Sequence, residues 1–549
     1  MKNDKVLKKL IIYEIFVRSF CDSNNDGIGD IKGIISKLDY LKDLGVNAIW
    51  LTPIYVSPNE DSGYDVSDYY QINKEFGNMD DVKKIIEEAH IRNIKIIFEI
   101  VANHTSSKHK WFESAKKSKT SKYREYYIWR DNVNGGFPNN WISSRTGKSV
   151  WTYVKETNSY YLHLYTPHQP DLNWRNENLR KEILKIMKFW LNFGVDAFRL
   201  DVINKISKKD GLPDVAKNVE NGYAELYFEN QPEVHDYIHN IRKEIEKEYP
   251  NCLLIGQTSG VNTEQAYKYT LDEKRQLDLF LQFEHTDMDK GPLGTLKKFN
   301  LEKFKSIIFK WQKAYDGKLI NTVFLGSHDL PRMASHYGNK DYFEKSVKML
   351  ATVQLFLRGA QIIYMGDEIG MTNANYNLID DYSDIRTKDY YYKRISENEE
   401  KDEVFKDIQK ISRDNARTPM QWNDSKYAGF SNIKPWIKEN VNYDSVNVKK
   451  QISDDNSILN YYKKLINLRK TEEILIEGKT NEIDLGNELI AYNRRSNNKK
   501  ITVIGNYSNK IKYVDLSCYG KKIIGNYKKC YLDKLMPYEV QVFKEVINE

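Results

Sequence analysis

Short apolar runs alternate along the chain with stretches whose apolar residues recur every three or four positions. The runs are "IIYEIFV" (11–17), "NAIWLTP" (47–53), "IKIIFEIVANH" (94–104), "VDAFRLDVI" (195–203), "CLLIGQ" (252–257), "DLFLQF" (278–283), "NTVFLGSHD" (321–329) and "AQIIYMGDE" (360–368). Runs this short predict strands, and the three-and-four spacing between them predicts helices. One helix is expected over 31–44, with Ile31, Ile34, Leu38, Leu41 and Leu44 on one face, and others over 176–193, 302–315 and 343–357. Eight strands each followed by a helix make an α/β chain, and the expected architecture is a (β/α)8 barrel rather than an open sheet.

Polar residues gather where the strands end: His104, Asp201, Gln257, His328 with Asp329, and Asp367 with Glu368. In such barrels the C-terminal strand ends carry the chemistry. Residues 105–174 are too long for a simple connection and are rich in Gly, Asn, Trp and Tyr, so an inserted subdomain over the barrel mouth is expected there. Beyond residue 478 the runs "NELIAYNRR", "KITVIGNYS" and "YEVQVFK" are short strands separated by turn residues. The expected organisation is a barrel built from 1–104 and 175–477, a subdomain over 105–174, and a C-terminal antiparallel β-sandwich over 478–549.

The length of 549 residues agrees with more than one core. No long uncharged apolar run is present, which excludes a membrane partner of the spanning kind. The N-terminus is basic and then apolar, but Glu14 and Arg18 interrupt it and no small-residue cleavage site follows. A first barrel strand and a cytoplasmic protein are expected. Four cysteines without ligand spacing point to reduced thiols. The charge is 84 − 77 = +7, with Lys interleaved with acids, so no nucleic-acid surface is expected; a monomer is. The 39 Tyr and 10 Trp change the picture more. Clusters such as "KYREYYIWRD" and "SYYLHLYTPHQP" put flat rings on loops, where they pack together or face sugars.

"FRLDVIN" places Arg199 and Asp201 two apart on one strand, hence on one face. A cation beside a carboxylate keeps it in its charged, nucleophilic form. Singly such motifs are common; their weight lies in ending successive strands in order. The set "YDVSDY", "VANH", "FRLDVIN", "IGQT" and "SHDLPR" resembles the signature regions of the α-amylase superfamily of glycoside hydrolases (family 13). "QPDLNW" (169–174) and "RDNARTPMQW" (413–422) resemble its oligo-1,6-glucosidase and α-glucosidase branch, and the resemblance covers almost the whole chain. It implies a retaining mechanism, in which a carboxylate attacks the anomeric carbon and an acid about 5–5.5 Å away protonates the leaving oxygen. By the resemblance Asp201 is the nucleophile, Asp329 stabilises the distorted sugar, and position 257 is the acid/base. Asp61, Tyr64, His104, Arg199, His328 and Arg417 would line the terminal glucose pocket.

Family members carry Glu where this chain has Gln257. An amide is nearly isosteric but delivers no proton, so weak hydrolysis of natural sugars is expected. The substitution fits an acid replaced in an otherwise working pocket, and it also fits a non-catalytic sugar-binding protein. Glu99, Ser327 and Leu330 depart from the family as well. Val202, after the nucleophile, resembles the α-1,6-acting members, although trehalose-6-phosphate hydrolases and sucrose isomerases share it. Short α-glucosidic oligosaccharides of the isomaltose type are the expected substrates. Finally, "DSNNDGIGD" (22–30) starts like an EF-hand loop but has Gly33 at position twelve, so it is not one. It resembles the family's Ca²⁺ loop, with Asp22, Asn24, Asp26, the Ile28 carbonyl and Asp30 as ligands of a structural ion.

Overall fold

In the computed structural model the described residues are 4–132, 135–143, 147–216, 224–270, 275–291, 295–314, 319–496 and 498–547. Eight parallel strands form one sheet: β1 (Ile11–Ile15), β2 (Ala48–Leu51), β3 (Lys95–Val101), β4 (Ala197–Asp201), β5 (Leu253–Gln257), β6 (Leu279–Leu281), β7 (Thr322–Val323) and β8 (Ala360–Tyr364). Their order is β6-β5-β4-β3-β2-β1-β8-β7, and a parallel bridge between Phe280 and Asn321 joins the two edges into a ring. The fold is thus a (β/α)8 barrel.

Alternation along each strand decides what the ring encloses. Ile12, Trp50, Ile97, Ala197, Ile255 and Leu281 pack with one another inside it. Their strand neighbours Tyr13, Ile49, Phe98, Phe198, Leu254 and Phe280 belong to the larger core outside. Two residues further along the inward series stand Glu14, Glu99, Arg199 and Gln257, all buried, and Asp201 continues the β4 series. The apolar filling therefore stops below the mouth, and the polar layer begins there because the side-chain period is two.

The helices lie outside the ring. Glu177–Asn192 buries Leu179, Ile183, Ile186, Met187 and Trp190, and Asn176 caps its start by accepting from Leu179 N. The helix expected over 302–315 is Leu301–Ala314, with residue 315 outside the described residues. The helix expected over 31–44 is two helices, Ile31–Ile35 and Leu38–Leu44. Asp30 caps the first by accepting from Gly33 N, and Ser36 Oγ donates to the Gly33 carbonyl at 2.7 Å. A serine bonding back into the preceding turn bends a helix, and here the helix breaks.

Between β3 and the Glu177 helix, strands Trp129–Asp131, Ser159–Leu162 and Trp151–Val154 form a small antiparallel sheet. A bridge between His104 and Asp171 ties the end of this segment to the exit of β3. At the C-terminus a five-stranded antiparallel sheet runs from Lys479 to Val546, with a separate pair of Lys512–Tyr513 and Lys534–Leu535. Leu489, Ala491, Ile504, Leu516, Leu535 and Phe543 pack together as the core of this domain. Among the described residues no helix is long and apolar enough to cross a membrane.

Asp367 and Glu368, expected among the polar residues at the strand ends, do not reach the mouth cavity. They sit in a buried 3-10 turn, Asp367–Ile369, after β8. Glu368 accepts from Tyr13 Oη at 2.7 Å and Tyr40 Oη at 2.6 Å. Asp367 presses on Gly326, where a Cβ would lie 2.4 Å from Oδ2, so only glycine fits. Burial pushes the Asp367 carboxyl up to about 8, against the opposing Arg332 charge. The folded state therefore keeps a proton that an unfolded Asp releases near pH 4. The contribution is present below that pH and is lost as pH rises toward 8. Asp367→Asn should flatten this slope: between about pH 5 and about pH 9 the melting temperature of the unaltered chain should fall further than that of the variant. Parallel curves would show that Asp367 does not carry the proton.

Candidate active site

A small pocket at the barrel mouth is lined by Asp61, Tyr64, His104, Tyr165, Gln169, Asp201, Val202, Gln257, Asp329 and Arg413. Its floor follows from strand register. Glu99 on β3 is the cross-strand partner of Arg199 on β4, and Ile255 on β5 is the partner on the other side. Arg199 is thus caught between an acid and, one inward step higher, Asp201 and Gln257. Its Nη1 donates to Glu99 and, at 2.7 Å, to Asp201 Oδ1, while Nη2 donates to Gln257 Oε1. Glu99 is itself held by Trp50 Nε1 at 2.9 Å, and the guanidinium lies 5.0 Å over the Trp50 ring. Gly256, just before Gln257, lets the outer face of β5 pack closely: a Cβ there would meet Leu277 at 2.4 Å and Ile203 at 3.0 Å.

Tyr64, His328 and Glu14 form one side. The Tyr64 and His328 rings stack with centroids 5.4 Å apart, and Tyr64 Oη lies 2.9 Å from His328 Nε2. Burial pushes the phenol well up, so it keeps its proton. The other nitrogen, Nδ1, donates to Glu14 Oε1 at 2.5 Å. Asp65, whose carboxyl burial raises to about 6, accepts from Asp61 N at 3.1 Å and Ser57 Oγ at 2.9 Å. It thereby fixes the turn that presents Asp61 and Tyr64.

The opposite side is an arginine clamp. Arg413 donates to Asp329 Oδ1 at 3.1 Å, to Asp61 Oδ1 at 3.1 Å and to Asp384 Oδ1 at 2.5 Å. Arg417 donates to Asp329 Oδ1 at 3.0 Å and to the His328 carbonyl at 3.2 Å. Burial alone would raise Asp384, but the Arg413 and Arg417 charges hold it well below the usual carboxylate range. Asp329 is the most open of the three acids, with 31% of its side chain exposed. Burial lowers His104, which stays neutral; its Nε2 lies 3.1 Å from the Tyr64 carbonyl. Gln169 donates to Asp61 Oδ2 at 3.1 Å, carried there by the segment that bridges to β3.

Of the residues expected in the pocket, Asp61, Tyr64, His104, Asp201, Val202, Gln257 and Asp329 line it, while Arg199, His328 and Arg417 support it from beneath. Sequence reasoning missed Gln169, Tyr165, Arg413, Asp384 and Glu14. Gln169 and Arg413 open the quoted runs "QPDLNW" and "RDNARTPMQW". Glu14 is an acid inside an apolar strand, a pattern that signals a buried partner.

A match to the α-amylase catalytic-domain family covers residues 14–478. The oligo-1,6-glucosidase of Parageobacillus thermoglucosidasius is 45% identical over 98% of this chain and 98% of its own. The chain belongs to the α-amylase family of glycoside hydrolases. Among solved structures, the trehalose-6-phosphate hydrolase of Bacillus licheniformis is similar, with TM-score 0.91 at 39% identity, covering 98% of this chain and 99% of that one. An isomaltulose synthase of Erwinia rhapontici NX5 carrying a Glu-to-Gln substitution, in complex with its natural substrate sucrose, has TM-score 0.94 at 36% identity and covers 98% of each chain.

The 22–30 loop lies apart from this pocket. Asp22 accepts from Asn25 N at 2.8 Å, Gly27 N at 2.9 Å and Ser431 Oγ at 2.5 Å, and Asp26 accepts from Ile28 N at 2.8 Å. Asp30 accepts from Ser23 N and Gly33 N, both at 2.7 Å. Its donor chemistry, all oxygen, suits a hard cation. The carboxylates are turned to N–H groups, and no three Asp, Glu, His or Cys side chains are gathered for a metal among the described residues.

Proposed function

We propose that this pocket belongs to an exo-acting retaining α-glucosidase acting on α-1,6 linkages of short oligosaccharides, with its hydrolytic rate held down by Gln257. The observation that carries the reading is the meeting of Asp201, Gln257 and Asp329 in one small cavity, with Arg199 bridging the first two. Asp201 is the nucleophile: its Oδ1 is held by Arg199, which fixes the carboxylate against the anomeric carbon. Asp329, on the arginine clamp, takes the sugar hydroxyls. Position 257 is where the leaving oxygen passes, and its amide bonds that oxygen without protonating it. The clamp and Gln169 close the far side around one terminal glucose unit, which supports exo action.

Val202 in the lining supports the α-1,6 preference, as does the 45% identity to an oligo-1,6-glucosidase. The trehalose-6-phosphate hydrolase and isomaltulose synthase relatives support a second reading, in which a phosphorylated or sucrose-type disaccharide is the donor. Rates on isomaltose, maltose, trehalose 6-phosphate and sucrose, measured on Gln257→Glu, separate the readings. Isomaltose should lead, and a preference for maltose would overturn the linkage assignment. If the variant turns over none of them, the hydrolase reading falls and the sugar-binding alternative gains.

We also propose a structural Ca²⁺ on Asp22, Asn24, Asp26, the Ile28 carbonyl and Asp30. Binding would exchange the N–H partners of these carboxylates for the ion. Calorimetric titration should show Ca²⁺ uptake, and a chelator should lower the melting temperature. Neither heat nor thermal shift would remove the site.

A further inference from the structure

Two donors converge on one atom of the Gln257 side chain: Arg199 Nη2 and, at 3.3 Å, the backbone N–H of Val202. Only an acceptor can meet both, so the carbonyl oxygen is fixed on that side and the NH₂ end is left to the pocket. The backbone helps to hold this arrangement. Val202 sits at φ 37°, ψ 41°, a left-handed conformation that is costly for a β-branched residue, and this turn carries the N–H that meets Gln257. Arg199 is in turn held by Glu99 and Asp201. A group leaving or arriving at the anomeric carbon therefore meets a neutral N–H donor, which neither gives up a proton nor accepts one.

We propose that this chain catalyses glucosyl transfer between partners that need no proton: donors whose leaving group departs as a stable anion, such as an α-glucosyl phosphate or fluoride, and acceptors that arrive as anions, such as a carboxylate or phosphate. The inference rests on the reading of Asp201 as nucleophile. In the first step an Asp201 oxygen bonds to the anomeric carbon, and the bond to phosphate or fluoride breaks with its electron pair. The departing anion carries away the charge that Asp201 brought, and no proton moves. The Gln257 N–H donates to the leaving atom as its charge grows. In the second step an anion bonds to the anomeric carbon, and the ester bond to Asp201 breaks, returning the charge to the carboxylate. Water must lose a proton as it attacks, and position 257 has nothing to take it. A carboxylate there would also repel the incoming anion, whereas the amide attracts it.

The test uses the unaltered chain and α-D-glucopyranosyl fluoride, following fluoride release with sodium azide, sodium formate or inorganic phosphate, against sodium sulfate at equal ionic strength. The reactive anions should raise turnover roughly 10²-fold, the low end of a general acid–base contribution. Azide should give α-glucosyl azide by NMR, the anomer retained through two inversions. Asp201→Asn should abolish both signals, and Gln257→Glu should lose the azide product while gaining isomaltose hydrolysis. Fluoride release indifferent to all three anions, with no azide adduct, overturns the inference. If Gln257→Glu then still hydrolyses isomaltose, the assignment of the site survives. If neither chain turns over any donor, that assignment falls as well.

Discussion

Gln257→Glu is expected to raise kcat/KM for isomaltose by about 10²–10⁴-fold, the usual contribution of a general acid–base group. The substitution is isosteric, and the groups that fix the amide also fix the carboxyl. Arg199 and the Val202 N–H hold one oxygen, so the second oxygen takes the place of the NH₂ facing the pocket. That is where a proton must be delivered to the leaving oxygen and later removed from water. Steady-state kinetics with a parallel melting curve checks the prediction. An unchanged rate in a variant of unchanged stability would show that position 257 is not the acid–base.

The second large effect is expected at Arg413. One guanidinium serves Asp61, Asp329 and Asp384, and all but Asp329 are deeply buried. Removing one partner of a buried ion pair costs roughly 3–5 kcal/mol, because the charge left behind has no water to turn to. Arg413→Met should therefore lower the denaturation midpoint strongly and, in the Gln257→Glu background, raise KM for isomaltose. Arg413→Lys should recover part of the stability but not the geometry, since an ammonium cannot span three carboxylates as a planar fork does. A Met variant as stable as the parent would mean that the three acids are neutralised in another way.

The barrel was legible because its signal is local and repeated. Apolar runs of strand length, each followed by a helical stripe, leave few ways to bury both faces. The site was legible where it continues that pattern: Arg199 and Asp201 share a face of β4, and Gln257 ends β5 two residues beyond the inward Ile255. It was illegible where loops deliver the side chain. Arg413 meets Asp61 across 352 positions, and Gln169 meets it across 108. No periodicity ties such residues together. The break in the helix over 31–44 escaped for another reason: its apolar stripe is continuous, and the Ser36 hydroxyl bond that interrupts it adds no hydrophobic signal.

By itself the sequence determined the ring of strands, the inward series on each, and the presence of an amide, Gln257, at the end of β5. These follow from side-chain alternation and residue chemistry, which travel with the chain whatever surrounds it. Only the tertiary structure decided which way the amide faces, because that depends on two donors from β4 and the turn beyond it arriving at the same oxygen. It alone also set Glu14 against His328, 314 positions away, and gathered three acids onto one arginine. Such meetings are settled by closing the ring and packing its loops, which bring residues far apart in the chain to the same place.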